Sequence, residues 1–205
     1  MAKFKNTDKI VFRDLGDGDF IITVKQVRLA YEHVFETWAK NDGEKKKYSG
    51  KFIMPEATHS KEIEILQTFL EGLKTDYFKG AKLKADALFF KDGDNEGKEE
   101  FEDAWFISAS ETEKNPPAVI DRDKTPLKAS DDKVYSGAYV NVQIKPWKQD
   151  NAYGKKINAN LVAVQFFKKG EKFGGAGAVS KQVIDDGFDE YEEEDISDDD
   201  GFSDD

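Results

Sequence analysis

Aromatic, amide and ammonium side chains share one phase of the stretch 137–147. As a strand it sends Tyr139, Asn141, Gln143, Lys145 and Trp147 to one face and Ala138, Val140, Val142 and Ile144 to the other. The apolar set reads as core. The polar set offers rings for stacking, amides for hydrogen bonds to ring edges and an ammonium group for anions. That combination suits a sequence-tolerant platform for unpaired bases, where one stack is worth roughly 1–3 kcal/mol whatever the base. Residues 148–156 read as a loop that returns the chain as a hairpin. Asn151 to Gly154 are turn formers, Lys148 stands at the base, and Tyr153, Lys155 and Lys156 lie near the tip. The plainer alternative has Tyr139 and Trp147 covering the open end of a barrel, with the lysines as solvated charges. Phe166, Phe167, Lys168, Lys169, Lys172 and Phe173 continue the same composition, and one of the two neighbouring phenylalanines is expected in the core. A second basic run, Lys45, Lys46 and Lys47, precedes Tyr48 and Lys51. Lys47, Tyr48 and Lys51 are candidates for backbone contact, and Phe52 reads as core.

Other groups imitate catalytic or metal chemistry without completing it. Asp92, Asp94, Glu96, Gly97 and Asp103 approach a calcium loop, but Glu99 stands where an apolar residue belongs, Asp103 replaces the bidentate Glu, and the flanks read as strands. They are expected to form an acidic loop. Glu111, Glu113, Asp121 and Asp123 could be imagined as a two-metal carboxylate group, yet the two histidines, His33 and His59, have no spacing that makes either a ligand or a base. No phosphate-binding glycine loop or nucleophile elbow is present. The expectation is a binder with no catalytic residue, metal or cofactor.

The elements that must position these residues are mostly strands. Period-two patterning predicts strands near 19–35, 48–54, 83–90, 104–110, 137–147 and 156–167. In the first, Ile22 and Val24 share one phase while Val27, Leu29 and Tyr31 share the other, so a bulge or sharp bend is expected near Lys25 and Gln26. One helix is predicted from Ile63, Leu66, Leu70 and Leu73, with Thr58 or Ser60 as N-cap, Glu62 and Glu64 in the first turn, and an end near 72–74. A mainly β chain with five or six short strands, one helix and a bent first strand fits a small closed barrel of the oligonucleotide-binding type.

Charge divides the chain. The net charge of -11 is concentrated at the end, where residues 185–205 hold 13 acids and neither Lys nor Arg, leaving 29 acids against 31 bases in the other 184 residues. Residues 140–181 carry eight lysines against Asp150 and Glu171. The expected organisation is a binding domain over 1–175 and a hinge with an acidic tail over 176–205, the tail too charged to bury a core and therefore disordered. Phe188, Tyr191, Ile196 and Phe202 punctuate it, a pattern suited to a basic, apolar-lined groove on a partner. With no cysteine, no apolar run long enough to span a bilayer and no apolar leader, a soluble, unexported, cytoplasmic protein is expected.

Four stretches resemble a family of single-stranded DNA-binding proteins from tailed bacteriophages. They are Val27-Arg-Leu-Ala-Tyr31-Glu-His-Val-Phe-Glu36, Tyr48-Ser-Gly-Lys-Phe-Ile-Met-Pro55, Tyr135-Ser-Gly-Ala-Tyr-Val-Asn141 and Gly170-Glu-Lys-Phe-Gly-Gly175. The resemblance implies an oligonucleotide-binding fold, non-specific binding of single strands in phage replication or recombination, and recruitment of a polymerase, helicase or recombinase by the tail, here Asp198, Asp199, Asp200, Phe202, Asp204 and Asp205. Ala138 stands where relatives often have cysteine. The tail ends on Phe202-Ser-Asp-Asp205 instead of an aromatic residue, which departs from a pocket gripping ring and carboxylate together. The tail is further expected to compete with DNA for the basic face, and a homo-oligomer is possible. Two rival readings are an acidic DNA mimic that inhibits a host nuclease and an RNA-binding module of the same fold.

Overall fold

The computed structural model describes residues 5–173. The elements, in chain order, are β1 (Ile10–Gly16), β2 (Asp19–Trp38), β3 (Lys47–Pro55), α1 (Glu56–Phe78), β4 (Phe90–Asp92), β5 (Ala104–Thr112), β6 (Ala118–Ile120), β7 (Tyr139–Asn151) and β8 (Gly154–Lys168). Hydrogen bonding runs β2 to β3, β3 to β5, β5 to β8, β8 to β7 and β7 back to β2. The ring of five strands therefore closes, through the parallel pair Ser110 and Asn160 between β5 and β8. β1 lies beside β2, β4 beside β5, and β6 beside β8. The architecture is the expected closed barrel with one helix and extra strands.

β2 pairs with β1 and β7 through its first half and with β3 through its second. The expected bend is present. Gln26 has φ 63°, the β2–β7 register shifts between Val24 and Val27, and the buried residues pass from Ile22 and Val24 to Val27 and Leu29. Tyr31 departs from expectation. Its own φ is 49° and the β2–β3 register shifts again after Ala30, so Ala30 and Val34 are buried while Tyr31 is turned outward, 41% exposed.

The barrel interior is apolar, with Ile22, Val24, Leu29, Phe52, Met54, Ile107, Val142, Ile144, Leu161 and Val164 in one cluster. α1 adds Ile63, Leu66, Leu70 and Leu73, the predicted stripe, together with Phe69. Its ends differ from the predicted ones. Pro55 holds the N-cap position, the Glu56 amide donates to the Asp103 carbonyl (2.9 Å), and Glu62 and His59 are buried rather than solvated. The helix continues through Gly72 to Phe78, because Leu73 and Phe78 still have core to bury, and ends where Lys79 adopts the left-handed conformation. The predicted strand over 83–90 is instead a 3₁₀ turn at Ala85–Ala87 followed by the three residues of β4. β1 and β6 were not anticipated, since short strands on the flank carry little periodicity of their own. Phe166 is the buried member of its pair. Gly137, at φ 111°, allows the 170–173 segment to cross the start of β7: a Cβ there would sit 2.0 Å from the Glu171 carbonyl oxygen.

On the outer half of β2 the Glu32 carboxyl is pushed up to about 7, first by burial and then by the charge of Glu36. A raised carboxylate value means that the unfolded chain loses its proton first, so the stabilisation present at low pH is lost as pH rises from the ordinary carboxyl range through about 7. Glu32→Gln is expected to raise stability by about 1–2 kcal/mol at pH 8, after allowance for its partial exposure, and to converge with the parent near pH 4. Urea unfolding at the two pH values measures this, and equal midpoints at pH 8 would exclude it.

Candidate nucleic-acid interface

The β3–β5 ladder runs without a register break from Lys47 opposite Thr112 to Pro55 opposite Ala104. Alternation therefore fixes the faces: Phe52 and Met54 point inward, with Tyr48 in their phase, while Lys47, Ser49 and Lys51 point out beside Ser110, Ser108 and Phe106. The sequence grouped Lys47, Tyr48 and Lys51; the pleat separates Tyr48 from the two lysines. β2 adds His33 opposite Ser49 and Trp38 opposite Lys47. The His33 and Trp38 rings stack at 4.7 Å, with Trp38 48% exposed.

A small second cluster lies under this outer face. Ala30, Ile53, Phe101, Ala104 and Phe106 are buried together outside the barrel. The Lys51 ammonium stands over it, 4.7 Å from the Phe106 ring centroid, 4.8 Å from Phe101 and 5.5 Å from Tyr31, and the Tyr31 and Phe101 rings are parallel within 4°. Such placement holds a cation by ring quadrupoles, and Lys51 is also paired with Glu96. Next along the sheet, Lys91 of β4 pairs with Phe106 of β5. Burial lowers the Lys91 ammonium below its usual range, Lys51 and Lys156 push the same way, and Glu96 and Asp86 oppose them. Lys91 thus feels the charge of Lys51 on β3 and of Lys156 on β8, and its ammonium lies 5.9 Å from the same Phe106 ring that Lys51 covers.

Lys156 belongs to the β7–β8 hairpin, which is longer and tighter than expected. The ladder continues from Ile144 opposite Leu161 to Asn151 opposite Gly154, so the predicted loop 148–156 is paired strand and only Ala152 and Tyr153 turn. Trp147 shares its face with Gln149, Asn158 and Lys156, and is 39% exposed. Lys148 and Lys155 lie on the opposite face. Both approach Asp150 (3.7 and 2.7 Å) and the Phe78 ring (5.0 and 5.2 Å), and the hydrogen bond from Lys155 is the main reason that the Asp150 carboxyl is held below its usual range. Tyr153, at the tip, is 86% exposed.

The remaining residues of β7 turn outward as predicted, but they have partners within the chain. Asn141 accepts from the Gln26 amide (3.0 Å) and donates to Gln165 (2.9 Å), Gln143 donates to Thr23 (3.2 Å), and Lys145 pairs with Asp19 (2.6 Å). The Tyr139 ring lies beneath Lys168 (4.5 Å) and Arg28 (5.6 Å), and Arg28 also covers Phe173. The outer set is therefore divided: Trp147 and Lys156 share one face of the hairpin, whereas the amides of Asn141 and Gln143 stitch the barrel. Sequence reasoning missed Tyr31, Trp38, Lys91, Lys98 and Phe101. Tyr31 stands in phase with Val27 and Leu29 and so reads as core, with no sequence signal to mark it as outward. Asp198, Asp199, Asp200, Phe202, Asp204 and Asp205 lie outside the described residues. Among those described, no three His, Cys, Asp or Glu side chains gather as a metal site, and no helix is long and apolar enough to cross a membrane. Asp121 and Asp123 instead bond Lys133 and Thr125.

A closed barrel whose second and third ring strands present an outer face, flanked by the 39–46 connection and the β7–β8 hairpin, is the oligonucleotide-binding architecture, and these are the surfaces through which that fold takes its ligands. The chain belongs to the family described as Enterobacter phage Enc34, ssDNA-binding protein, whose model matches residues 20–199. A solved single-stranded DNA-binding protein from bacteriophage Enc34, in complex with ssDNA, is 34% identical; the match covers 82% of this chain and all of that one, with a TM-score of 0.68. Its C-terminal truncation is 32% identical with the same coverage and a TM-score of 0.67. Protein p50 of Acyrthosiphon pisum secondary endosymbiont phage 1 is 30% identical over 177 residues, 80% of this chain and 92% of that protein.

The Asn141 bridge between the Gln26 bend and Gln165 generates a stability prediction. Asn141→Ala is expected to cost about 1–2 kcal/mol by orphaning both partners, read from the urea midpoint; no loss would show that the bend holds without it.

Proposed function

We propose that this protein binds single-stranded DNA without sequence preference during phage DNA replication or recombination, in the host cytoplasm. The observation that carries the reading is Lys51 over the Phe106, Phe101 and Tyr31 rings with Lys91 against Phe106 beside it, on the ligand face of a barrel whose family includes a protein solved with ssDNA; Trp147 and Lys156 share one face of the adjoining hairpin. Bases stack on Trp147 and Tyr31 while Lys47, Lys51, Lys91 and Lys156 neutralise phosphates. Phosphate pairing releases counterions and makes binding salt-dependent, and stacking tolerates any base. Lys148, Lys155 and Tyr153 brace and extend the hairpin that flanks the strand.

The acidic residues 185–205 compete for the same cations. Joined to the barrel they act at high effective concentration, and strand binding releases them for a basic groove on a polymerase, helicase or recombinase.

Fluorescence anisotropy with labelled single strands across a salt series tests the site. Trp147→Ala and Lys51→Ala are each expected to weaken binding about tenfold, similarly for several base compositions, and unchanged affinity in both would remove this face from the interface. Deleting residues 185–205 is expected to tighten binding, most at low salt; a truncated chain that binds no tighter would exclude competition by the tail.

A further inference from the structure

The segment between β4 and β5 delivers carboxylates onto the cationic face. Glu96 Oε2 lies 2.5 Å from Lys51 Nζ, with each side chain a little over a quarter exposed. The Tyr31 hydroxyl donates to Glu100 Oε1 (2.5 Å) and accepts from Lys98 Nζ (2.5 Å), whose ammonium also stands 4.4 Å from the Tyr31 ring centroid. The segment that carries these groups is built. The Gly93 amide donates to the Ala104 carbonyl (2.8 Å), so close that a Cβ on Gly93 would fall 2.3 Å from the Phe101 carbonyl oxygen. Asp94 accepts from the Asp103 amide (2.9 Å), and the fully buried Phe101 anchors the middle against Phe106 and Tyr31. The spacing that resembled a calcium loop thus serves to fold a strap whose acids meet the protein's own cations.

We propose that Glu96 and Glu100 occupy the positions that DNA phosphates take on this face, and that they thereby set the preference for unpaired strands over duplex. The proposal rests on the single-strand-binding reading above. Exchanging one anion for another on Lys51, and at the Tyr31–Lys98 pair, gains little. A ligand that offers only its phosphates, as a duplex with paired and stacked bases does, has little to drive that exchange. A single strand adds a base against the exposed Tyr31 ring once its phosphate draws Lys98 off the ring and displaces Glu100 from the hydroxyl, and that stacking tips the balance. Without the two carboxylates, Lys51 and Lys98 attract any polyanion, and discrimination falls.

The test compares the full-length chain with its E96Q/E100Q variant, using one labelled single strand and the blunt duplex of the same sequence at low and moderate salt. The variant is expected to bind duplex about tenfold more tightly and single strand about threefold or less, with both gains shrinking as salt rises. Each single variant should show a smaller shift in the same direction. E99Q/E102Q, which alters exposed acids on the same strap, should leave the ratio of the two affinities as it is. Equal gains on both ligands, no gain on either, or the same change from E99Q/E102Q would overturn the proposal. If the unmodified protein binds no single strand, the functional reading itself fails; if it binds and only the duplex-to-single-strand ratio refuses to move, this inference alone is lost.

Discussion

β2 is twenty residues long and belongs to both halves of the barrel, which is possible only because its backbone turns over at Gln26 and again at Tyr31. A straight strand with period-two alternation would send one half of its apolar residues into water. The left-handed Gln26 returns Val27 and Leu29 to the interior after Ile22 and Val24. Asn141, reaching across from β7, accepts the Gln26 amide that the bend would otherwise leave without a strand partner. Closure of the ring through Ser110 and Asn160 follows from the curvature that this bend introduces.

The second reversal has a different outcome. It turns Tyr31 out of the barrel onto the ring of Phe101, and with Phe106 this makes an apolar floor outside the main core. Lys51 is held over these rings by charge–quadrupole attraction and is also paired with Glu96, so an incoming anion would exchange with that carboxylate. Lys91 lies against the same floor, 5.9 Å from the Phe106 ring centroid, and burial lowers its ammonium below the usual range. The geometry of the candidate face and the geometry of the barrel therefore share a cause in the dihedral angles of one strand.

Much of the barrel was legible in the sequence because its strands bury one face. The alternation of Val140, Val142 and Ile144 with Tyr139, Asn141 and Gln143 is the alternation observed, and the stripe from Ile63 to Leu73 is the inward side of the helix. Residues 83–90 misled because Leu83, Leu88, Phe89 and Phe90 are apolar for packing against the core from an irregular segment, which periodicity cannot distinguish from a short strand. The site was only half legible. Tyr31 looked like core because its second phase change depends on how β2 meets β3, and Lys91 looked ordinary because only the long-range pairing of β4 with β5 brings it to the Phe106 ring. Lys148 and Lys155 look equivalent to Lys156 in sequence, yet the pleat puts them on the far side of the ribbon.

Phe78 closes the helix beneath the hairpin, and Lys148 and Lys155 rest on its ring while sharing Asp150 between them. This bracket gives the ribbon a fixed attitude before any ligand arrives. A flexible arm would have to surrender its freedom on meeting a polymer, and that entropy would be subtracted from every contact it made. Here the last turn of the helix braces the hairpin in advance, so the contacts proposed for Trp147 and Lys156 would start from a ribbon that the Phe78 ring already supports.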